Sequence, residues 1–420
     1  MNSALAALIG LVLAIVLIIR KVSPVYSLML GALTGGLLSG IGLVETVNQM
    51  LSGVKDITPA ILRILAAGVL SGALIKTGAA ASISHSVVKG LGQKHVYLAI
   101  AFSAMLLTGV GVFVDVAVIT VAPIALMLGK RLSISRMKLL LAMVGGAKCG
   151  NIMSPNPNTI IAAENYNAAL PSVMGAGVIP AIVGLVVTVY VILPLMPSPK
   201  TPVIYDEDTV EDDDLPSFLA SLAGPLAAIL LLALRPVFGI VIDPMVALPV
   251  GGVIAILATR SWSKVGECMT FGLEKMSVVA ILLVGTGTIA GIIKESAIKD
   301  VLISMLSGWE AGGLLMAPLS SILMSAATAS TTAGATISSA SFSQTVLASG
   351  VSAVWGAAMT NAGATVLDHL PHGSFFHATG GSVGMSIKER IRLIPYESAV
   401  GLVLTIMTVV SYLLYDGTIR

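Results

Sequence analysis

The chain has 420 residues, of which 56% are hydrophobic and 10% charged, with a mean hydropathy of +0.98 and a formal net charge of +2. Soluble domains carry roughly a quarter charged residues, so this composition excludes an ordinary soluble enzyme and predicts an all-α polytopic membrane protein set in a lipid bilayer. The near-neutral charge argues against nucleic acid as a partner, and the two cysteines, Cys149 and Cys268, supply no disulfide framework.

A hydrocarbon core of about 30 Å needs roughly 20 apolar residues per helix. The first 19 residues are apolar, and the positive Arg20 and Lys21 follow rather than precede them. That order predicts a retained membrane helix over Ser3–Ile19, not a cleaved leader. Further helices are expected at about 24–44 and 59–81, with an amphipathic, interfacial stretch at 45–57 between them. Arg63 reads as a residue that pairs or snorkels near a helix end. Residues 96–128 are too long for one straight span and too short for two, and they hold Gly109, Gly111 and Asp115 at their middle. Lys89 and Lys94 precede them, and Lys130, Arg131, Arg136 and Lys138 follow. Both flanks are therefore cytoplasmic, and the segment reads as a re-entrant hairpin.

Residues 137–165 form a helix that is interrupted at 146–159. Pro155 and Pro157 remove backbone donors there, and an opened backbone at membrane depth survives only inside protein or beside water. Cys149, next to this break, is read as a small apolar filler. A span at 172–195 returns, and the acidic stretch 197–216, rich in Asp from Asp206 to Asp214, is expected to be a solvated cytoplasmic linker.

The second half repeats this order. Helices are expected at 217–234 and 244–259, an interfacial stretch at 261–275 and a helix at 276–294. A hairpin at 312–349 has a hydroxyl-rich tip, a second broken helix at 351–379 opens at Asp368–Ser374, and a last helix covers 395–415. Gly53, Gly68 and Gly72 fall opposite Gly272, Gly287 and Gly291 at one constant separation, and Pro155 falls opposite Pro371. The pattern predicts two inverted repeats, 1–196 and 217–420, each of five spans plus one re-entrant hairpin. Both termini then lie outside. Such plans are typical of secondary transporters.

Two tips and two breaks are expected to meet near the midplane, where helix N-termini favour a carboxylate. The candidate substrate-binding residues are Gly109, Gly111, Asn151, Ser154, Asn156, Asn158, Thr159, Thr328, Ser330, Thr331, Thr332, His372 and Ser374, which offer backbone, amide, hydroxyl and imidazole contacts to a polyol acid. An acid at the bilayer centre is costly, so Asp115 is expected to couple transport to protons, with Asp368 and His369 as a second titratable pair. Lys148 reads as a residue that neutralises a substrate carboxylate, pairs with Asp115 or snorkels. No His-Glu-x-x-His motif or nucleophile–base pair points to an enzyme, no metal or organic cofactor is expected, and hairpin-capped breaks argue against a channel.

Three patches carry a family resemblance. Val112-Phe113-Val114-Asp115-Val116 resembles the Phe-Phe-Glu-Val hairpin segment of the gluconate permease family, within the ion transporter superfamily. Ser154 to Thr159 resembles its Pro-Pro-x-Pro-Gly-Pro segment, keeping Pro155 and Pro157. His369 to Phe376 resembles its His-x-Asn-Asp-Ser-Gly-Phe-Trp segment, keeping His369 and Phe375. Gly150, Ser154, Asn158 and Thr159 depart from that pattern, as do Pro371 and His372. The resemblance implies an elevator-type symporter, a homodimer of the bacterial inner membrane, which imports gluconate or a related hydroxylated carboxylate with protons. Serine-asparagine-threonine motifs elsewhere in the superfamily bind sodium, so Na⁺ is the alternative coupling ion.

Overall fold

A computed structural model describes residues 3–20, 22–92, 95–197, 215–238, 240–297, 312–371 and 373–415, and among them there are helices and no strands. The expected acidic linker falls almost entirely outside these residues. The first elements are α1 (Ser3–Ile19), α2 (Pro24–Ser39), α3 (Leu43–Lys76) and α4 (Ala79–Leu91). They are followed by α5 (Val96–Gly109), α6 (Val114–Leu132), α7 (Arg136–Asn151), α8 (Pro157–Asn165) and α9 (Leu170–Val187), which runs on through a π-helical turn at Thr188–Ile192. The second half contains α10 (Phe218–Phe238), α11 (Pro244–Ala258), α12 (Val265–Lys294), α13 (Gly312–Thr328) and α14 (Thr331–Ala348). It ends with α15 (Ala353–Gly363), α16 (Ser374–Ser382), α17 (Ile387–Ile391) and α18 (Ile394–Tyr415).

Among the described residues, four helices are long and apolar enough to cross a membrane by length and composition: Leu43–Lys76, Leu170–Leu195, Trp262–Lys294 and Ile387–Tyr415. Shorter apolar helices, including α1, α2, α10 and α11, turn Val12, Leu30, Leu230 and Val253 outward, as a lipid-facing surface requires.

Two expectations are corrected here. Neither 45–57 nor 261–275 is separate from the helix that follows it; the first belongs to the single 34-residue helix α3, and most of the second to the 30-residue helix α12. The polar side of the first stretch, with Glu45, Lys55 and Asp56, stays exposed. Its small-residue side packs on α12, where Gly53 meets Gly287 and Gly291. Helix boundaries also move where glycine takes a left-handed backbone. Gly40 at φ +88° ends α2 earlier than expected, and Gly78 at φ +80° separates α3 from α4.

The α3–α12 crossing has backbone against backbone. A methyl group built on Gly72 would lie 2.0 Å from the Cys268 carbonyl oxygen, and one on Gly53 would lie 2.1 Å from that of Gly287. Gly68 and Gly272 face each other in the same way. Small residues permit this approach, and the contact depends on it. Gly72→Ala is expected to destabilise the protein by about 1–3 kcal/mol, as overpacking does. Thermal unfolding in detergent checks this, with Gly90→Ala, which would meet nothing within 4 Å, melting no earlier than the wild type.

Around this crossing, α1–α3 and α10–α12 form one layer. The other is built by α5–α9, α13–α16 and α18 packing on one another. Both expected hairpins and both interrupted helices lie in the second layer.

Candidate functional site

Four helices begin at one place. The N-terminal ends of α6, α8, α14 and α16 surround a cavity of about 170 Å³, lined by residues from Phe113–Asp115, Asn151, Asn156–Asn158, Ala329–Thr332 and Phe375. The first backbone N–H groups of a helix have no internal partner and carry its positive end, so four converging starts make a site for negative charge.

Each start is set by its own sequence. At α8, Pro157 occupies the first turn, where its missing N–H costs nothing, and Asn156 caps it. The Asn156 Oδ1 accepts from the Thr159 N–H at 3.0 Å and from its hydroxyl at 3.2 Å. The same amide donates through Nδ2 to the Asn151 carbonyl and Oδ1, both at 2.6 Å, and to the Ser154 hydroxyl at 2.7 Å. Asn156 therefore holds the whole break. At α14, Ser330 caps the Ala333 N–H at 3.2 Å, following Ala329 at φ +47°. At α6, the Asp115 carboxylate accepts from the Val116 N–H at 2.9 Å. Across the cavity, Thr332 donates to Asn158 Oδ1 at 2.6 Å and so ties the second tip to the first break.

Of the candidates, the structure brings Asp115, Asn151, Asn156, Asn158, Ser330, Thr331 and Thr332 to the cavity wall. Asn151 is 3% exposed, and its Nδ2 is a buried donor with no partner, which suits an acceptor atom held in the cavity. Asp115 is the one ionisable side chain among the described residues that line it. Ser154 and Thr159 sit a layer behind, their hydroxyls engaged within the break, with Thr159 accepting from Asn361 at 3.0 Å. Gly109 and Gly111 shape the first tip against Met153 and Pro155. Thr328 turns back to the Met324 carbonyl of its own helix at 2.8 Å. His372 lies outside the described residues, and Ser374 marks the first residue of α16.

Lys148 corrects an expectation. It neither faces the cavity nor pairs with Asp115; it is fully buried and donates to Asp368 Oδ1 at 2.6 Å and to the Thr365 carbonyl, with His369 Nδ1 at 3.0 Å. Beyond His369, Glu397 lies 3.8 Å away and forms a two-pronged ion pair with Arg390, one prong at 3.0 Å. Arg390 also donates to Thr379 and stacks 5.0 Å from the Phe376 ring. Sequence reasoning missed Arg390 and Glu397. The available signal was Glu397, an acid in the first turn of an apolar terminal helix. Thr331 joins this cluster to the cavity by donating to Asp368 Oδ2 at 2.6 Å.

Arg63 pairs, as expected, with acids: Glu164 at the end of α8, and Asp243, which caps α11, at 2.8 Å. The hydrogen bond from Arg63, aided by the Met245 N–H, holds the Asp243 carboxyl below its ordinary range against the effect of burial. Cys149 is buried against Gly184 as filler. Among the described residues, no group of three His, Cys, Asp or Glu side chains is placed to hold a metal ion.

Breaks and paired helical tips gathered on one polar cavity inside an apolar helical body define a multi-pass membrane permease. The sequence model of GntP family permeases matches residues 3–416, and the chain belongs to that family. It is 53% identical to an uncharacterized transporter of Haemophilus influenzae, with 98% of each chain covered. A high-affinity gluconate transporter of Escherichia coli is 21% identical, with 94% of this chain and 96% of the relative covered. The D-serine transporter DsdX of Escherichia coli is 23% identical, over 77% of this chain and 79% of the relative. Among solved structures, the Alcanivorax borkumensis YdaH transporter superposes with a TM-score of 0.62 at 15% identity, covering 90% of each chain, a likeness of fold.

Proposed function

We propose that this permease is a proton-driven symporter that imports a small hydroxylated organic acid, gluconate or a related sugar acid, without converting it. The observation that carries the reading is the cavity itself. Four helix N-termini and the free Nδ2 of Asn151 offer donors to a carboxylate, and Thr331, Thr332, Ser330 and Asn158 offer partners to hydroxyls. Asp115 faces the same space, so its protonation changes the charge the substrate meets. In this reading Asp115 takes a coupling proton from outside and releases it inside together with the substrate.

The chain works as two inverted repeats, 1–196 and 217–420, joined by the cytoplasmic linker 197–216, with both termini outside the inner membrane. The α3–α12 crossing supports this, because Gly53 meets Gly287 while Gly68 meets Gly272, and Gly53/Gly272 and Gly68/Gly287 are the sequence-matched pairs. A two-fold axis exchanges such contacts. Transport then proceeds as an elevator, with the layer holding the tips and breaks sliding on the α1–α3 and α10–α12 layer of a homodimer. Sodium is the alternative coupling ion, favoured by the cluster of Asn and Ser oxygens around the first break.

One observation favours a second substrate class. Lys148 is sequestered by Asp368, and the ionisable group left among the described residues of the cavity wall is an acid. A zwitterionic hydroxy amino acid would place its carboxylate on the helix starts and its ammonium on Asp115, in keeping with the D-serine transporter among the relatives.

Proteoliposomes separate these readings. Labelled gluconate is expected to accumulate under an inward proton gradient, with sugar acids competing, and Asp115→Asn is expected to lower accumulation while leaving exchange. For an amino acid substrate, serine competes instead, and Asp115→Asn removes binding at every pH. Full accumulation on a sodium gradient alone, or normal accumulation by Asp115→Asn, would show the proton assignment to be wrong.

A further inference from the structure

Behind the cavity, the buried residues Lys148, Asp368, His369, Glu397 and Arg390 form a continuous charged cluster that the cavity chemistry does not use. With the imidazole neutral, its two cations balance its two carboxylates. One ring atom of His369 is free to change that balance. Nε2 lies 3.0 Å from the Ile394 carbonyl and 3.2 Å from the Ser398 hydroxyl. A carbonyl can only accept, so a hydrogen on Nε2 satisfies it, and Nδ1 is the ring atom left between a donor and an acceptor. Nδ1 sits 3.0 Å from Lys148 Nζ and 2.9 Å from Asp368 Oδ1.

We propose that His369 Nδ1 is a proton-binding site of the transport cycle, distinct from the cavity acid, and that Thr331 is the positioning residue that carries its state to the substrate. This rests on the proton-coupled carrier reading and assigns it a second site.

The geometry defines two states. In the first, Nδ1 is a lone pair that accepts from the Lys148 ammonium, whose three hydrogens then go to Asp368 Oδ1, the Thr365 carbonyl and His369. In the second, a proton from the outer solution adds to Nδ1, which now donates to Asp368 Oδ1. Lys148 keeps Asp368 and Thr365 but loses its third acceptor. No other bond is made or broken, and the cluster gains one positive charge. Glu397, 3.8 Å from Nδ1 and held by Arg390, compensates it. Among the described residues, the groups facing His369 are thus Lys148 from α7, its neighbour Asp368, Glu397, Ser398 and the Ile394 carbonyl from α18, with Arg390 of α17 behind Glu397.

Thr331 is the link because Asp368 has two oxygens with different clients. Oδ1 serves Lys148 and His369, while Oδ2 accepts the Thr331 hydroxyl at 2.6 Å. When Nδ1 gains a proton, Asp368 is drawn toward two cations and its hold on Thr331 weakens. The Thr331 hydroxyl, on the cavity wall, is then freer to donate to bound acid.

The test uses the full chain in proteoliposomes with labelled gluconate, comparing gradient-driven accumulation with exchange. One coupled proton and a gradient of one pH unit give a tenfold accumulation, about the factor carried by one pKa unit. His369→Gln is expected to lower the ratio of accumulation to exchange about tenfold under such a gradient. Thr331→Val is expected to flatten the pH profile of exchange, and Thr331→Ser to restore it. A wild-type ratio in His369→Gln, or a wild-type pH profile in Thr331→Val, overturns the proposal. A second measurement needs no transport: ¹⁵N-histidine spectra of the purified wild-type chain, assigned with His369→Gln. A neutral Nε2–H tautomer at pH 8 that gains an Nδ1 proton by pH 5 supports the proposal, and an Nδ1 that does not change over that range overturns it. If the wild type moves no gluconate, the substrate reading has failed, and the spectra alone decide the proton site. Where a variant does not fold, the wild-type spectra decide in the same way, with Ser398→Ala as the alternative assignment.

Discussion

Lys148→Met is expected to cost about 3–5 kcal/mol of stability, far more than the loss of an exposed lysine, because it leaves a carboxylate buried without its charge partner. Lys148 and Asp368 are both nearly solvent-free, and the ammonium donates to the Asp368 carboxylate and the Thr365 carbonyl, with His369 Nδ1 at 3.0 Å. A thioether of similar length fills the volume and supplies none of these donors. The same reasoning sets the sign of the double variant. Asp368→Asn removes the stranded charge, so Lys148→Met/Asp368→Asn is expected to melt closer to the wild type than Lys148→Met does. Thermal unfolding of the four proteins in one detergent completes the cycle, with a coupling energy of about 0.5–3 kcal/mol between sites in contact. If the double variant is less stable than Lys148→Met by the full cost of Asp368→Asn, the two residues do not act as a pair.

How far the sequence reveals such features depends on whether they are local. The first break was legible because Pro155 and Pro157 interrupt an apolar run, and the α7–α8 discontinuity lies where they stand. The tips were legible from Gly109 and Gly111, and from the hydroxyl run that ends in Thr331 and Thr332. The second break was read too late. It opens at Ala364, since α15 ends at Gly363, yet Ala364, Val366 and Leu367 look helical by composition and the first proline is Pro371. Its turn is set by contacts: the Thr365 carbonyl is taken by Lys148 from the other half of the chain. The length of α3 was hidden for a related reason. A hydropathy pattern registers the polar side of residues 45–57 but not that the small side has a partner helix in α12. Pairings such as Lys148 with Asp368, or Arg390 with Glu397, have no periodic signature. A lysine in a broken helix is equally consistent with a ligand and with an ion pair until the fold brings the acid to it. Arg390 was visible only as a positive charge flanking a span, whereas it is 1% exposed and committed to Glu397.

The site's weakest point is Asn156, and its variants are expected to separate fold from function. Its amide has two tasks on opposite sides: Oδ1 caps α8 at the Thr159 N–H, and Nδ2 gathers the Asn151 carbonyl, Asn151 Oδ1 and the Ser154 hydroxyl. Serine ranks with asparagine as a helix cap, so Asn156→Ser keeps the first task and loses the second. The Asn151 side chain is then free to turn, and its Nδ2 leaves the position in which it faces the cavity. Misplacing a binding group by about 1 Å can cost a hundredfold in rate, so substrate uptake is expected to fall by about two orders of magnitude in a protein that still folds. Asn156→Asp is expected to be worse in both respects. A carboxylate retains the cap and suits a helix N-terminus, but it directs an anionic oxygen at three oxygens that stood 2.6–2.7 Å from a donor. Repulsion would open the break unless a cation enters. Uptake and melting temperature, measured with and without sodium, therefore rank as wild type, then Asn156→Ser, then Asn156→Asp. Selective rescue of Asn156→Asp by sodium would show that these oxygens can hold the alternative coupling ion. Wild-type uptake by Asn156→Ser would show that the Asn151 donor does not touch the substrate.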